Sequence, residues 1–522
     1  MQSLRFSSWA HVPALVLVVV ALQCVGCALT APHESIEGEE STVSRAMSGS
    51  SATAIPRPVS AEDTFRPPVP KVIKLQGGAP VWFLPSAQTP LVSVRFVFAV
   101  GSSSDPKGQA GLAALMGAML DEGAGDRDAL AFAEAFDFLG ASFDVSTDRD
   151  TTTISVQVLR RHLESALDLV GDCVQRPAFT PTEWERVKAL WMNSLKQRQE
   201  DPRGVSRVVA DRVFYGDDHP YAHPVAGYES TVDAIGLDQV KEFYRQHLRP
   251  DRLTVLATGS LQADEFAELI DARFGEWKVA GAGVPPVVVG SPDANPRLVV
   301  VDKPDAPQTV IRIQVPAPPA EDESAAALAV ADIVFGGTFT SRLSTNLRED
   351  KGFTYGAGSR YIRRRAGSYV LATSSVNAGA NDDKTGPSVV EFCREFQIME
   401  GGEFTPAEIS KAQASYRSRI IEALESQSGA LSVYESSLTH GGTPQSRSEF
   451  YRRLVGASGG AVAEASTKNF VWNDATIVLV GDRGRIEAAV EQLRAHPPSD
   501  LPNAFALLPL EVRDRDGALA ER

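Results

Sequence analysis

Two pairs of landmarks, separated by nearly the same number of residues, constrain the fold of this chain more than any other feature. Arg95 and Arg312 lie at equivalent places in two predicted strands, "LVSVRFVF" and "TVIRIQVP", and are 217 residues apart. Gly259 and Gly481 follow two further predicted strands, "LTVLAT" and "TIVLV", and are 222 residues apart. Chance alternation of strands and helices would not give unrelated pairs nearly the same offset. The sequence therefore predicts a duplicated α+β domain.

The division into domains follows from this repeat, because 522 residues exceed what one hydrophobic core usually holds. We predict an N-terminal domain at residues 71–285, a linker rich in Gly and Pro at 286–295, and a C-terminal domain at 296–495. Period-two strands alternate with amphipathic helices in both domains. Each domain should thus be an antiparallel or mixed sheet covered by helices on one side. Residues 496–522 are left as a tail.

The first 70 residues indicate export followed by a tether. One arginine precedes an apolar run at residues 12–22, which is too short to span a bilayer and is typical of a secretory signal within residues 1–27. Cys27 follows small residues, as in a bacterial lipobox, so we predict its lipidation; ordinary signal cleavage and an uncleaved anchor stay open. Residues 28–70 are rich in Ser, Glu, Ala, Thr and Pro, which favours a flexible tether. Because Ala28 follows the cysteine, where aspartate often signals inner-membrane retention, we expect an outer-membrane lipoprotein facing the periplasm.

Composition excludes two other classes of protein. The formal net charge is −15 and the chain has no long run of Lys or Arg, so nucleic-acid binding is not expected. Cys173 and Cys393 lie in apolar, helix-like stretches of different halves, and we predict buried free thiols there. The folded region therefore has neither a disulfide framework nor a C-x-x-C zinc site.

A short helix after the first strong strand has an unexpected composition. The segment "GLAALMGAMLDEG", at residues 111–123, has small and apolar residues throughout its first two turns. The order of strand, short loop, "GLA" and helix, duplicated at about two hundred residues, resembles the insulinase and pitrilysin-like zinc peptidases, the inverzincin group that includes mitochondrial processing peptidase. This resemblance covers nearly all of residues 71–495. It implies two homologous domains that form a bowl-shaped half of a clamshell.

The resemblance also implies what this helix lacks. In that family the helix carries H-x-x-E-H, in which two histidines hold zinc and the glutamate serves as general base for the attacking water. The motif positions fall here on Ala114, Gly117 and Ala118. The glutamate pair of a later helix, which provides the third ligand, falls on Asn193 and Ser194. We therefore expect no metal in this chain.

A relocated metal site is the weaker alternative. His219 and His223 are the only two histidines four residues apart, and Asp217 lies beside them. Pro220 and Pro224 interrupt any helix in this stretch, so the spacing does not place both imidazoles on one face. A structured loop is the preferred interpretation.

The C-terminal half keeps a segment that the family uses. The stretch "FGGTFTSRLSTNLREDKGFTYGAGSRY" closely resembles the family segment that carries an arginine and a tyrosine seven residues apart, here Arg348 and Tyr355. The resemblance implies that both donate hydrogen bonds to the scissile carbonyl, and that Gly336 and Gly337 form a backbone-accessible turn near the substrate. Spacing alone would favour a plainer interpretation, a surface salt bridge of the arginine and a packed tyrosine. The surrounding motif favours the functional one.

The sequence therefore predicts half of a bipartite active site. We expect a non-catalytic subunit of a heteromeric zinc metallopeptidase, inactive alone, which supplies Arg348 and Tyr355 to a homologous H-x-x-E-H subunit that holds the zinc. The substrate would be a peptide, and a lipid anchor would join the subunit to the membrane. The alternative is a non-enzymatic scaffold or binding protein at the membrane that reuses the peptidase fold.

Overall fold

A computed structural model describes residues 65–86, 89–279, 290, 292, 295–365, 367–498 and 508–520. The predicted signal, Cys27, nearly all of the tether and most of the predicted linker lie outside these residues. Within them, no helix combines the length and the apolar character needed to cross a membrane. The last residues of the predicted tether pack on the fold, because the Phe65 ring meets the edge of Tyr451 with centroids 5.4 Å apart.

The first sheet has six strands in the order β1-β2-β6-β3-β5-β4, and only the β2–β6 pair is parallel. Its strands are β1 (Lys71–Lys74), β2 (Pro80–Pro85), β3 (Leu91–Phe98), β4 (Ser142–Thr147), β5 (Thr152–Leu159) and β6 (Leu253–Gly259).

The second sheet has seven strands in the order β11-β10-β8-β12-β7-β13, with β9 also paired to β10, and its run β7-β12-β8-β10-β9 repeats the run β2-β6-β3-β5-β4 of the first sheet. Its strands are β7 (Arg297–Asp302), β8 (Gln308–Ala317), β9 (Thr354–Ile362), β10 (Ser368–Gly379), β11 (Asp382–Asp383), β12 (Thr476–Gly481) and β13 (Leu510–Arg513). The β7–β12 pair is parallel, as β2–β6 is in the first sheet. The residues left as a tail by the sequence contribute β13, which pairs in parallel with β7.

The register of the two sheets matches the landmarks of the repeat. Arg95 on β3 is opposite Leu256, three residues before the end of β6. Arg312 on β8 is opposite Val478, three residues before the end of β12. The two arginines therefore occupy the same place in the two sheets, as their offset in the sequence indicated.

Sixteen helices accompany the strands within the described residues. In the first half they are α1 (Leu112–Ala118), α2 (Ala129–Phe138), α3 (Leu163–Gln175), α4 (Pro181–Glu200), α5 (Pro202–Tyr215), α6 (Glu229–Ala234), α7 (Leu237–His247) and α8 (Ala263–Phe274). In the second half they are α9 (Ala325–Phe335), α10 (Arg342–Ser344), α11 (Thr385–Glu400), α12 (Pro406–Glu425), α13 (Gln427–Thr439), α14 (Ser446–Val455), α15 (Gly459–Asn469) and α16 (Arg483–Ala495). A π-helical turn, Thr345–Asp350, continues α10.

One face of each sheet carries helices of its own half. On β3, alternate residues Val92, Val94, Phe96 and Phe98 are fully buried in the first core. The Phe96 ring packs on Phe274 of α8 with centroids 5.1 Å apart. The alternation arises because successive side chains of a strand point to opposite faces. This arrangement confirms the predicted α+β class, with two sheets covered by helices.

The opposite face of each sheet is covered by a helix from the other half. Three valines of α5, at positions 205, 209 and 213, pack on valines of β7, β8 and β12. In return, Leu431 and Tyr434 of α13 pack on Trp82 and Leu256 of the first sheet. Asp201 caps α5 by accepting hydrogen bonds from two backbone amides of its first turn, and Ser426 caps α13 similarly. The two halves thus exchange equivalent helices, which interlocks them.

Candidate functional site

The helix that carries the zinc ligands in the resembled enzymes is formed in this chain, but motif positions on it are buried. The Asp105 carboxylate accepts hydrogen bonds from the amides of Gly111 and Ala113, each 2.7 Å long, and so satisfies the N-terminal end of α1. Ala114 and Gly117 are buried. A Cβ added at Gly117 would meet Oγ1 of Thr147 at 2.5 Å, which is closer than side-chain carbons approach other atoms. The space that a glutamate would need is therefore occupied by β4.

The later helix offers no compensating ligand. Asn193 and Ser194 are exposed on α4, and the Ser194 hydroxyl donates a hydrogen bond to the carbonyl of Trp191 in its own helix. In the described part of the chain, no group of three His, Cys, Asp or Glu side chains is placed to hold a metal ion. The zinc of the resembled enzymes therefore does not fit the residues present here.

The Asp217, His219 and His223 stretch is a structured loop. The His219 ring stacks on Tyr215 with centroids 4.6 Å apart, and its Nδ1 accepts a hydrogen bond from the amide of Tyr221. Asp217 pairs with Arg212 at 2.6 Å. Burial lowers the pKa of His219 and of His223. These contacts agree with the interpretation of the segment as a loop.

Tyr355 lies on the surface of the second half, whereas the Arg348 side chain is only 16% exposed. The Arg348 guanidinium, on the π-helical turn, stacks over the Phe339 ring at 3.4 Å from its centroid and pairs with Glu349. The pair with Glu349 is the plainer contact that spacing alone suggested. Tyr355, at the start of β9, is 95% exposed, and Phe339 is 71% exposed. An aromatic residue this exposed gains little from packing within its own chain.

Gly336 and Gly337, upstream of Arg348, are both held by backbone hydrogen bonds. Gly336 is buried between α9 and β9: its carbonyl accepts a hydrogen bond from the Ser359 amide, and a Cβ there would collide with that amide. Its own amide and that of Gly337 both donate to the carbonyl of Asp332. Gly336 is thus required by the close approach of strand and helix, a reason that the sequence did not reveal.

A cavity lined by both halves was not predicted from the sequence. It measures about 970 Å³, and its walls include Ser194, Arg312 and the turn between β4 and β5. Seven arginines and four aspartates line it, a formal excess of three positive charges in a chain of net charge −15. A charged residue inside the otherwise apolar strand "TVIRIQV" is the one signal in the sequence that could have indicated it.

At one wall of this cavity lies a buried ion pair of the N-terminal half that side chains of the C-terminal half also contact. The Asp211 carboxylate of α5 is 2.5 Å from the Arg149 guanidinium. It also accepts hydrogen bonds from the Gln314 amide at 3.0 Å and the Tyr369 hydroxyl at 3.1 Å. Burial alone would raise the pKa of Asp211, but nearby arginines, with Arg149 the strongest, outweigh burial and lower that pKa.

The two halves of the chain match two models of one family. Residues 81–213 match insulinase (peptidase family M16), and residues 234–416 match the peptidase M16 inactive domain. Together these segments cover more than half of the chain. The chain therefore belongs to the insulinase family, peptidase family M16, and it is a member without the zinc motif.

Among the relatives of this chain, one is named as a zinc protease and another as a non-peptidase homolog. An uncharacterized zinc protease of Mycobacterium bovis is 26% identical over 430 residues, which are 82% of this chain and 96% of that protein. The non-peptidase homolog YmxG of Helicobacter pylori is 24% identical over 289 residues, which are 55% of this chain and 65% of that protein.

Solved structures share the fold. A peptidase M16 inactive domain from Pseudomonas fluorescens superposes with a TM-score of 0.72 at 23% identity, covering 79% of this chain and 98% of that one. The first half of the periplasmic protease PqqL from Escherichia coli gives a TM-score of 0.64 at 15% identity, covering 81% and 94%. At these identities the likeness concerns the fold alone.

Proposed function

We propose that this chain is the non-catalytic subunit of a heteromeric zinc peptidase, and that it supplies Arg348 and Tyr355 to a homologous subunit with an intact H-x-x-E-H helix. The observation that carries the proposal is the contrast between the two halves. Thr147 occupies the space of the family's general base beside Gly117 on α1, whereas Tyr355 remains almost fully exposed and Arg348 is held against Phe339. One half of the active site has been lost, and the other half is presented on the surface.

The role of the two side chains follows from the charge that peptide hydrolysis generates. Attack of water on the scissile carbonyl produces a tetrahedral intermediate with a negatively charged oxygen. The guanidinium of Arg348 and the hydroxyl of Tyr355 are hydrogen-bond donors suited to that oxygen. Stacking on Phe339 restricts the arginine before substrate arrives, which lowers the entropy lost on binding. Zinc, held by the partner, would supply the activated water.

The proposed setting is the cell envelope. The predicted export signal and lipidated Cys27 would tether the chain on the periplasmic side, most simply in the outer membrane, and residues 28–64 would give the fold reach. The substrate is a peptide or a short unfolded segment enclosed between the two subunits.

The test is co-purification with an H-x-x-E-H chain, followed by peptide hydrolysis. Because each donor acts mainly in the transition state, Tyr355→Phe and Arg348→Ala should each lower kcat about 10² to 10³-fold with little change in KM. Arg245→Gln is the matched control: Arg245 lies on α7 in an exposed pair with Glu242 and should leave kcat unchanged.

Two outcomes would contradict the proposal. Unchanged hydrolysis in both variants would leave the fold as a scaffold or binding protein at the membrane. Chelator-sensitive hydrolysis by the purified chain alone would mean that it holds a metal of its own.

A further inference from the structure

The exchange of helices places the two repeat arginines in corresponding environments. Arg95 on β3 faces α13, and Arg312 on β8 faces α5. Each exchanged helix carries one carboxylate toward the arginine, Glu435 on α13 and Asp211 on α5. Glu435 is nine residues after its helix cap and Asp211 is ten residues after its own. The two sites are therefore close copies, and their differences are informative.

In the first copy, the donors of the arginine are bound by groups of the chain itself. The Arg95 guanidinium pairs with Glu435 and donates hydrogen bonds to the carbonyl of Ser428 and the hydroxyl of Ser432. The second Glu435 oxygen accepts from Thr153 at 2.6 Å. Here the chain itself shows what this position of the sheet binds, which is a carboxylate.

In the second copy the carboxylate makes its direct contacts elsewhere, although the charge of Arg312 helps to lower its pKa. Asp211 is one methylene shorter than glutamate, and its oxygens are taken by Arg149, Gln314 and Tyr369. Arg312 is only 8% exposed, and its Nε has no hydrogen-bond partner among the described residues. A buried guanidinium with unsatisfied donors is costly unless something binds it. Arg312 also lines the 970 Å³ cavity.

The remaining aspartates of the cavity are not available to Arg312. Asp148 accepts from the amides of the β4–β5 turn, and Asp150 accepts from the Tyr221 hydroxyl at 2.7 Å. Asp201 caps α5. Every aspartate of the wall is thus engaged within the fold.

We propose that this cavity binds an acidic peptide segment, and that Arg312 receives one of its carboxylates in the place that Glu435 fills for Arg95. The cavity volume suits several residues of peptide and far exceeds a small inorganic anion. Val208, Ile362 and Leu371 add apolar surface to the arginines, as a peptide with mixed side chains requires. A guanidinium matches a carboxylate with two parallel hydrogen bonds. The choice of a peptide rests on the proposed function, whereas the anion preference rests on this geometry.

The experiment measures binding to the full chain purified alone, without any partner subunit. Two fluorescein-labelled octapeptides are compared by anisotropy, identical except that one carries Glu where the other carries Gln. We expect the Glu peptide to bind at least ten times more tightly at low salt. Arg312→Gln should reduce the ratio of the two affinities to near one. Arg312→Lys, which keeps the charge but cannot form two parallel hydrogen bonds, should give an intermediate ratio. Arg245→Gln, with the same loss of charge on α7, should leave it unchanged.

Several results would overturn the proposal. Equal affinity for the two peptides would show that charge is not recognised. Arg312-dependent binding that inorganic phosphate displaces at micromolar concentration would assign the cavity to small anions. If Arg312→Gln does not fold, Arg360→Gln, on an exposed arginine of the same cavity, must weaken the Glu peptide selectively. Because no hydrolysis is measured, a failure here is distinct from a failure of the proposed subunit role.

Discussion

The buried ion pair between Arg149 and Asp211 permits a quantitative test by Asp211→Asn. The substitution keeps the size of the side chain, and the amide oxygen can still accept from Gln314 and Tyr369, but an NH2 group replaces the oxygen that accepts from Arg149. The Arg149 side chain is 10% exposed and would lose its one carboxylate partner at 2.5 Å. Breaking a buried ion pair in this way typically costs about 3 to 5 kcal/mol. We expect a loss of that size because neighbouring arginines add to the uncompensated charge.

Urea-induced unfolding of the full chain, followed by circular dichroism, measures this loss. The control is Asp218→Asn, which removes the carboxylate from an ion pair with Lys107 in which both side chains are at least 86% exposed. Exposed pairs contribute at most about 1 kcal/mol, so this variant should unfold almost as wild type. If Asp211→Asn costs less than about 1 kcal/mol, the buried pair does not stabilise the fold as described.

Further predictions concern α1, α9 and a buried histidine. Writing H-x-x-E-H back onto α1 should not restore zinc binding by isothermal titration, because Asn193 and Ser194 stand where the third ligand is needed; nanomolar zinc affinity would refute this. Gly336→Ala should cost about 1 to 3 kcal/mol of unfolding free energy, since the added methyl meets β9, whereas Gly460→Ala, which has open space, should be nearly neutral; equal values would contradict the packing. Burial and then the charge of Arg252 lower the pKa of His247 to about 4. Stability from this group is therefore full above the unfolded-state pKa near 6.5 and declines as pH falls toward 4, and His247→Gln should flatten that part of the profile.

Several elements were predictable because their evidence is local. The strands β3, β6, β8 and β12 carry clear period-two or continuous apolar patterns, and the structure confirms them at the expected places. The family was recognisable because the α1 motif and the Arg348 to Tyr355 segment are each contiguous. The absence of the zinc ligands could be recognised in the sequence for the same reason. Cys173 and Cys393 are buried thiols, as their apolar surroundings indicated.

Other elements depended on contacts between distant segments. The two exchanged helices, α5 and α13, were not identified from the sequence, since their apolar faces match a sheet of the other half and no neighbouring segment. The prediction of helices on one side of each sheet was therefore incomplete. The lipidation of Cys27 lies outside the described residues and stays a prediction.

The sequence by itself determined the repeat, the family and the loss of the zinc ligands, because each can be recognised from short contiguous segments of the chain. Only the tertiary structure decided that Arg95 is paired directly with a carboxylate and Arg312 is not, because the carboxylates that face them come from helices of the opposite half. The physical reason is that the free-energy cost of burying a charged side chain depends on whether the fold places an opposite charge beside it.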